Sequence, residues 1–130
     1  MSKQLAINVE IDVNRAVLET VAFSRKLGFA ETPSRMIATA VSELARNILK
    51  YAGTGQIRLR QVEGRSGSGI EVEAIDEGPG IENAADAMRD HFSSAGTLGL
   101  GLPGVERMMD EFSLDSTPGV GTRVKVRKWI

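Results

Sequence analysis

The spacing of apolar residues changes period several times along the chain, and this order of periods constrains the fold most. Apolar and polar residues alternate over residues 5–11, which predicts a first strand with one buried face. From Asp12 the apolar residues recur at helical spacing as far as Leu27. Asp12 is the predicted N-cap of this helix, and Gly28 is the predicted residue after its end.

A second helix is predicted to begin at the Thr32-Pro33 pair, where Thr32 supplies an N-cap and Pro33 suits a first helical turn. It should end near residues 51–53, where Gly53 follows the last apolar position. Its apolar stripe consists of Ile37, Val41, Leu44 and Ile48.

The second half of the chain alternates strands with shorter helical segments. A hairpin is predicted to open at Gly55 and to continue through a flexible connection, residues 64–69, into a strand over residues 70–75. A short helical region is expected at residues 84–89, and Pro103 should begin a last helix that turns Val105, Met108, Met109 and Phe112 inward. Two closing strands, residues 112–116 and 122–128, flank the sequence TPGVG and predict an antiparallel hairpin.

This order predicts an α+β fold, a two-layer sandwich of a mostly antiparallel mixed sheet with helices packed on one face. At 130 residues the chain has the size of one domain, so residues 1–130 are predicted to form a single domain. The other sheet face should carry opposite charges that pair across strands and remain solvated: Arg58, Arg60, Glu71, Glu73, Arg123, Lys125 and Arg127.

Composition removes several classes of function. Sixteen Lys and Arg residues against seventeen Asp and Glu residues leave a net charge of −1, so neither nucleic acid nor an anionic membrane is an expected partner. The chain has no cysteine and one histidine, which argues against thiol chemistry and most zinc sites. Without a signal peptide or a long apolar run, a cytoplasmic protein is expected.

The first candidate site is the sequence ELARN in the second predicted helix. Glu43 and Asn47 are four residues apart and therefore share one helical stripe at the edge of the apolar face. Such a pair can be simply solvated. Alternatively, the Asn47 side-chain oxygen ligates Mg²⁺ while Glu43 accepts a proton or orients a hydroxyl group.

Two glycine-rich stretches are the other candidates. In DEGPG, Asp76 ends a strand and can accept a hydrogen bond from an adenine amine, although the same residues also make ordinary turns. In GTLGLGLPG, residues 96–104, glycines lead into a helix whose first amides can hold phosphates without a lysine. The alternative interpretation of this second stretch is a flexible loop before a capped helix.

Taken in order, ExxxN, DxGxG, an intervening segment, GLGLPG and Gly119-x-Gly121-Thr122 resemble the ATP-binding domains shared by gyrase B, Hsp90, histidine kinases and MutL. The resemblance covers nearly the whole chain and implies the Bergerat-type ATP-binding fold. The sequences SELARNI, YAGTGQI and GLPGVERMMDEFSLDS are most similar to the small bacterial serine/threonine kinases that act as anti-sigma factors and as switch kinases of the stressosome.

The resemblance implies a role for each matching position. Asn47 corresponds to the magnesium ligand, Glu43 to the acid that activates the attacking group, and Asp76 to the residue that reads adenine. Thr122 corresponds to a water-mediated partner near the base. Residues 82–95 correspond to a lid over ATP, expected to be mobile without nucleotide. The remaining implied nucleotide contacts are the base-pocket glycines Gly78 and Gly80 and the phosphate-facing residues Gly96, Leu98, Gly99, Leu100, Gly101 and Leu102.

The function implied by the resemblance is a serine/threonine protein kinase that uses ATP and Mg²⁺. Its expected substrates are STAS-domain proteins of a stressosome, and after release it would activate a PP2C-type phosphatase. Two alternatives remain: an anti-sigma factor kinase that sequesters a sigma factor, and a non-catalytic ATP-gated binding module. The chain lacks the lid lysine of gyrase and the phosphoacceptor-histidine helices of histidine kinases, which argues against those two activities.

Overall fold

The computed structural model describes residues 1–80 and 101–130, and these residues form five strands and three helices. The strands lie in one sheet in the order β1-β2-β3-β5-β4, and each neighbouring pair is antiparallel. The elements in chain order are β1 (Ser2–Ile7), α1 (Glu10–Leu27), α2 (Glu31–Tyr51), β2 (Gly55–Gly64), β3 (Gly67–Asp76), α3 (Gly101–Met108), β4 (Glu111–Thr117) and β5 (Gly121–Trp129).

The core lies between the helices and one face of the sheet, which confirms the predicted two-layer α+β fold. Alternate residues in the middle of β2, β3 and β5 are buried against the helices, as strand alternation requires: Ile57, Leu59, Ile70, Val72, Ala74, Val124 and Val126. The predicted apolar stripe of α2 faces them and is fully buried: Ile37, Val41, Leu44 and Ile48. α2 therefore has a fixed rotation relative to the sheet.

The start of α1 differs from the prediction. β1 ends at Ile7 and α1 begins at Glu10, so Val9 and Ile11 are exposed rather than part of a buried strand face. Asp12 is not the N-cap but lies in the first turn, where its carboxylate accepts hydrogen bonds from the backbone N–H groups of Asn8 (2.9 Å) and Val9 (3.1 Å). These two bonds lower the pKa of Asp12. Gly28 ends the helix with φ 111°, as predicted.

The start of α2 and the first hairpin also differ from the sequence prediction. α2 begins at Glu31, so Thr32 is within its first turn and is not its N-cap, while its end at Tyr51 agrees with the prediction. The predicted flexible connection is a two-residue turn, because β2 and β3 stay paired up to Gly64 and Gly67. The ring of Trp129 packs where a Cβ would lie on Gly64 or Gly69, so these glycines serve side-chain packing rather than flexibility.

α3 spans Gly101–Met108 and thus already includes the two residues before the predicted start at Pro103. Val105 and Met109 are buried as predicted, Met108 is partly buried, and Phe112 belongs to β4. The closing hairpin has the predicted partners, with β4 and β5 each slightly longer than expected. The predicted helical region at 84–89 and the predicted lid lie outside the described residues.

The charged sheet face is paired but is not simply solvated. Glu71 and Glu73 of β3 form the predicted ion pairs with arginines of β2 and β5, yet their residues are only 5% and 7% exposed. The neighbouring arginine side chains cover them.

None of the helices in the described ranges is long and apolar enough to cross a membrane.

Candidate functional site

α2 carries the first pair of candidate residues at the edge of its buried stripe. Glu43 and Asn47 are both half-buried and are separated by four residues, which corresponds to a rise of about 6 Å along one side of a helix. Leu44 and Ile48 next to them are anchored in the core. The rigid stripe therefore holds the two polar side chains in a fixed relation to each other.

The N-terminus of α3 lies against Glu43. The Gly101 backbone N–H donates a hydrogen bond to Glu43 Oε2 at 3.4 Å, and Gly101 has a φ of 65°, which favours glycine. Leu102 is buried in the core beside it. Because the first amides of a helix lack partners within the helix and form its positive end, this position favours a negatively charged group. In this structure the Glu43 carboxylate is that group.

Asp76 lies at the end of β3, between Gly55 of β2 and Thr122 of β5. Its Oδ1 accepts a hydrogen bond from the Gly78 N–H at 2.9 Å, which folds the chain into a tight turn. The Thr122 hydroxyl lies 3.0 Å from the Ser116 hydroxyl. Asp76 is half-buried, so its carboxylate remains accessible to a ligand.

Close backbone contacts explain why glycines follow Asp76. A Cβ on Gly78 would lie 2.6 Å from the Cβ of Ala52, the residue that caps the end of α2. Gly80 has a φ of 76°, and a Cβ there would lie 2.5 Å from the Thr117 carbonyl oxygen. The turn after β3 is therefore packed between the end of α2 and the β4–β5 hairpin, and larger residues would push it away.

The predicted site residues thus fall into two described groups that α2 connects. Glu43, Gly101 and Leu102 form one group at the α2–α3 contact, and Asp76, Gly78 and Thr122 form the other at the strand ends. Asn47 is five residues before Ala52, so it lies about 7.5 Å along the helix axis from the second group. Four predicted phosphate-facing residues, Gly96, Leu98, Gly99 and Leu100, lie outside the described residues.

The residues present fit ATP with Mg²⁺. The accessible carboxylate of Asp76 and the narrow glycine turn suit a flat base, and the amide end of α3 suits a phosphate group. Asn47 offers one neutral oxygen. Mg²⁺ bound to nucleotides takes few ligands from the protein, so a single side-chain oxygen is a sufficient contribution.

Three supporting residues were not singled out by the sequence analysis. Ser116 contacts Thr122, Ala52 contacts the Gly78 turn, and a Cβ on Gly121 would lie 2.1 Å from the Asp76 carbonyl oxygen. Gly121 was noted only as part of a motif. The contacts of Ser116 and Ala52 depend on how distant elements dock, so no local sequence signal marks them.

Comparison with known proteins assigns the family. The model of the histidine kinase-like ATPase domain matches residues 7–128. The chain belongs to this family. It is 50% identical over 107 residues to the serine/threonine-protein kinase RsbT of Bacillus subtilis (strain 168), an alignment that covers 82% of this chain and 80% of the relative. The predicted resemblance to switch kinases is confirmed, and the enzyme class of this relative is the predicted one, a serine/threonine protein kinase.

Two further similarities concern other members of the family and the fold. The chain is 37% identical over 98 residues to the anti-sigma F factor of Thermoanaerobacter sp. (strain X514), covering 72% of this chain and 68% of the relative. A chain in the crystal structure of the SiaB-SiaC complex from Pseudomonas aeruginosa superposes with a TM-score of 0.57 at 13% identity, over 100% of this chain and 89% of that one. At that identity the similarity concerns the fold alone.

Proposed function

We propose that the chain is a switch kinase that uses Mg-ATP to phosphorylate serine or threonine in STAS-domain regulators of a stressosome. When released from them it binds and activates a PP2C-type phosphatase. The observation that supports this best is the contact between Glu43 and the amide end of α3, because it joins a catalytic acid candidate to a phosphate-binding candidate. The 50% identity to a serine/threonine-protein kinase supports the same reaction.

In this proposal Asp76 accepts a hydrogen bond from the adenine amine, and Thr122 contacts the base through a water molecule. Gly78 and Gly80 form the turn beside the ring, and their lack of a Cβ lets this turn pack against Ala52 and Thr117. Bound ATP supplies the phosphoryl group, and Mg²⁺ offsets its charge. Asn47 holds the metal through its side-chain oxygen. The phosphates are held by backbone amides at Gly96, residues 98–100 and Gly101, with Leu102 anchoring that end of α3.

Glu43 orients or deprotonates the acceptor hydroxyl group. Its present hydrogen bond to Gly101 is long at 3.4 Å, so little stability is lost when the carboxylate turns to a hydroxyl and leaves the amide for a phosphate oxygen. A positioned general base contributes about a hundred- to ten-thousandfold to a rate. The rest of the acceleration comes from holding the reacting groups in place.

A second candidate function is an anti-sigma factor kinase, which phosphorylates its antagonist and sequesters a sigma factor. The 37% identity to an anti-sigma F factor favours it over other members of the family. Both candidates share the phosphotransfer step and differ in the protein that is bound afterwards. A non-catalytic ATP-gated module would share the nucleotide site without the transfer.

The test is incubation with labelled ATP and candidate STAS-domain proteins, followed by mapping of the phosphorylated residue. We expect label on a serine or threonine with the wild-type chain, none with Glu43→Gln, and normal transfer with the exposed control Glu10→Gln. Absence of transfer despite ATP binding would support the gated module. Co-purification with a sigma factor rather than with a PP2C-type phosphatase would support the anti-sigma alternative.

A further inference from the structure

The sheet face opposite the helices carries a row of five cations. Strand alternation and register place all five side chains on one face of the sheet. Two belong to β2 and three to β5, the strands that flank β3. We call this surface the basic face. It consists of Arg58 and Arg60 of β2 and Arg123, Lys125 and Arg127 of β5.

Two buried glutamates of β3 hold the arginines in place. Glu71 Oε1 accepts from Arg60 at 3.0 Å, and its Oε2 accepts from Arg127 at 2.8 Å. Glu73 is held in the same way, with Oε1 3.2 Å from Arg58 and Oε2 3.4 Å from Arg123. Each carboxylate is therefore clamped between an arginine of β2 and an arginine of β5.

This arrangement turns the positive charge outward. The glutamate side chains are less than 10% exposed, whereas the side chains of Arg58, Arg60 and Arg123 are 43%, 50% and 56% exposed. Among residues 1–80 and 101–130, Arg58 and Arg60 each donate one side-chain hydrogen bond, which goes to a glutamate and uses one of the five N–H groups of the guanidinium. Fixed guanidinium groups lose little conformational freedom when they bind a carboxylate.

Lys125 adds a charge that the glutamates do not neutralise. It lies across from Glu73 in the strand register, but within residues 1–80 and 101–130 it forms no ion pair. Four carboxylates share this face with the five cations, since Glu111 and Asp115 of β4 pair with Arg127 and Arg123 in the register, and the basic face therefore has a surplus of one positive charge. Glu111 and Asp115 of β4 lie at its border, where Glu111 is 3.9 Å from Arg127.

An open depression of about 650 Å³ adjoins this row of charges. Its lining on the same face includes Ala6, Gln56 and Ile75, and the depression extends to Asp76 and Glu77 at the end of β3. Gln56 is two residues before Arg58 on β2, and Ile75 pairs with Arg123. An apolar side chain placed in the depression would therefore lie beside two of the guanidinium groups.

We propose that the basic face docks an acidic protein segment, whose carboxylates pair with the fixed guanidinium groups while an apolar side chain enters the depression. A second copy of this chain fits less well, since an isologous contact would oppose the central cations of the two copies. Nucleic acid fits less well because the net charge of −1 provides no long-range attraction to it.

The probe for this proposal is a labelled peptide of alternating glutamate and leucine, with the glutamine-for-glutamate peptide as its control. We expect the acidic peptide to bind the full chain and Lys125→Gln to weaken this binding about two- to fivefold, the effect of about one exposed charge pair. Arg25→Gln on α1 removes one exposed charge on the helix side and should change nothing. Arg58→Lys keeps the charge but loses the fork, and should also weaken binding.

Thermal melting of each variant separates a loss of binding from a loss of folding. Equal binding of the two peptides, or an effect of Arg25→Gln as large as that of Lys125→Gln, would overturn the proposal. So would tighter binding of a single-stranded oligonucleotide that Lys125→Gln abolishes, or a dimer in sedimentation that the same substitution dissociates. None of these measurements depends on phosphotransfer, so the proposed kinase function is tested separately.

Discussion

At the scale of single residues, the candidate site depends on polar groups that already have a partner within the chain. Asp76 uses one carboxylate oxygen for the Gly78 amide, which leaves the other for a ligand. Glu43 uses one oxygen for the Gly101 amide. These bonds set the direction of each side chain before nucleotide arrives, which reduces the entropy lost on binding.

Asp76→Asn should weaken ATP binding without unfolding the protein. The asparagine oxygen can still accept from the Gly78 N–H, but the amide nitrogen then faces the adenine amine, so two donors oppose each other. A lost hydrogen bond with its penalty corresponds to about 1–3 kcal/mol, or about ten- to a hundredfold in Kd. Nucleotide titration checks this, with Asp115→Asn on β4 as the control. Unchanged affinity for ATP, with GTP still excluded, would remove Asp76 from the base site.

Glycine substitutions distinguish backbone strain from close contact near the site. Gly119 and Gly121 both have positive φ, 80° and 151°, but a Cβ on Gly119 meets open space whereas one on Gly121 would lie 2.1 Å from the Asp76 carbonyl oxygen. Gly119→Ala should cost about 1–2 kcal/mol of unfolding free energy. Gly121→Ala should add about 1–3 kcal/mol of overpacking and should also weaken ATP binding, because Asp76 must move. Denaturant unfolding measures both, and equal losses would contradict the close contact.

At the scale of elements, β3 joins the two functions of the sheet. Its even-numbered residues, Ile70 to Asp76, face the helices and end at the candidate base site, while Glu71 and Glu73 organise the opposite face. The pKa of Glu71 is below its ordinary value of 4.5. Burial alone would raise this pKa, but hydrogen bonds from Arg60 and Arg127 and their positive charges outweigh it.

Glu71 should therefore make folding stability depend on pH in the acid range. A carboxylate with a lowered folded pKa stabilises the protein fully above the unfolded value near 4.5, and this stabilisation is lost as pH falls through the folded pKa. Glu71→Gln should reduce stability at neutral pH by about 1–3 kcal/mol, towards the lower limit because its arginine partners are exposed. It should flatten the acid part of the unfolding curve, whereas Glu10→Gln should not. An unchanged acid slope would contradict the assignment.

Elements with a strong local pattern of buried apolar residues were predicted from the sequence. Features that depend on contacts between residues distant in sequence were not. The stripe from Ile37 to Ile48 and the alternation of β3 are strong local patterns, so both elements were predicted, although each begins earlier in the structure than the sequence indicated. The predicted start of α1 was wrong because Asp12 lies in the first turn of the helix, where its carboxylate accepts from the backbone N–H of Val9, the residue before the helix. The hairpin turn was wrong because Trp129, distant in sequence, explains Gly64 and Gly69.

The same division holds for the candidate site. Helical spacing alone placed Glu43 and Asn47 on one side of α2, and the structure agrees. The contact between Glu43 and Gly101 joins residues fifty-eight positions apart and depends on how α3 docks. The burial of Glu71 and Glu73 depends on arginines from two other strands. Strand alternation alone cannot predict whether these glutamates are covered or exposed to solvent.

At the scale of the whole molecule, the sheet separates two surfaces with different chemistry. The helix side carries the candidate nucleotide site, and the other side carries the basic face. Thr122, which pairs with Asp76, lies three residues before Lys125 on β5. The two β5 side chains point to opposite faces and are about 10 Å apart along the strand. Lys125 is therefore separated from the candidate base site, although the depression beside the basic face reaches Asp76.

This separation predicts that ATP affinity and peptide affinity respond independently to substitution. Asp76→Asn should lower ATP affinity as much in a Lys125→Gln background as in the wild type, because residues more than about 7–10 Å apart without shared partners usually act additively within about 0.3–0.5 kcal/mol. Lys125→Gln should likewise lower peptide affinity equally with and without Asp76→Asn. Titrations of the four proteins with each ligand complete the cycle. An interaction free energy above about 1 kcal/mol would instead mean that β3 and β5 transmit nucleotide binding to the basic face, since direct electrostatic contact between exposed groups at that distance is largely screened.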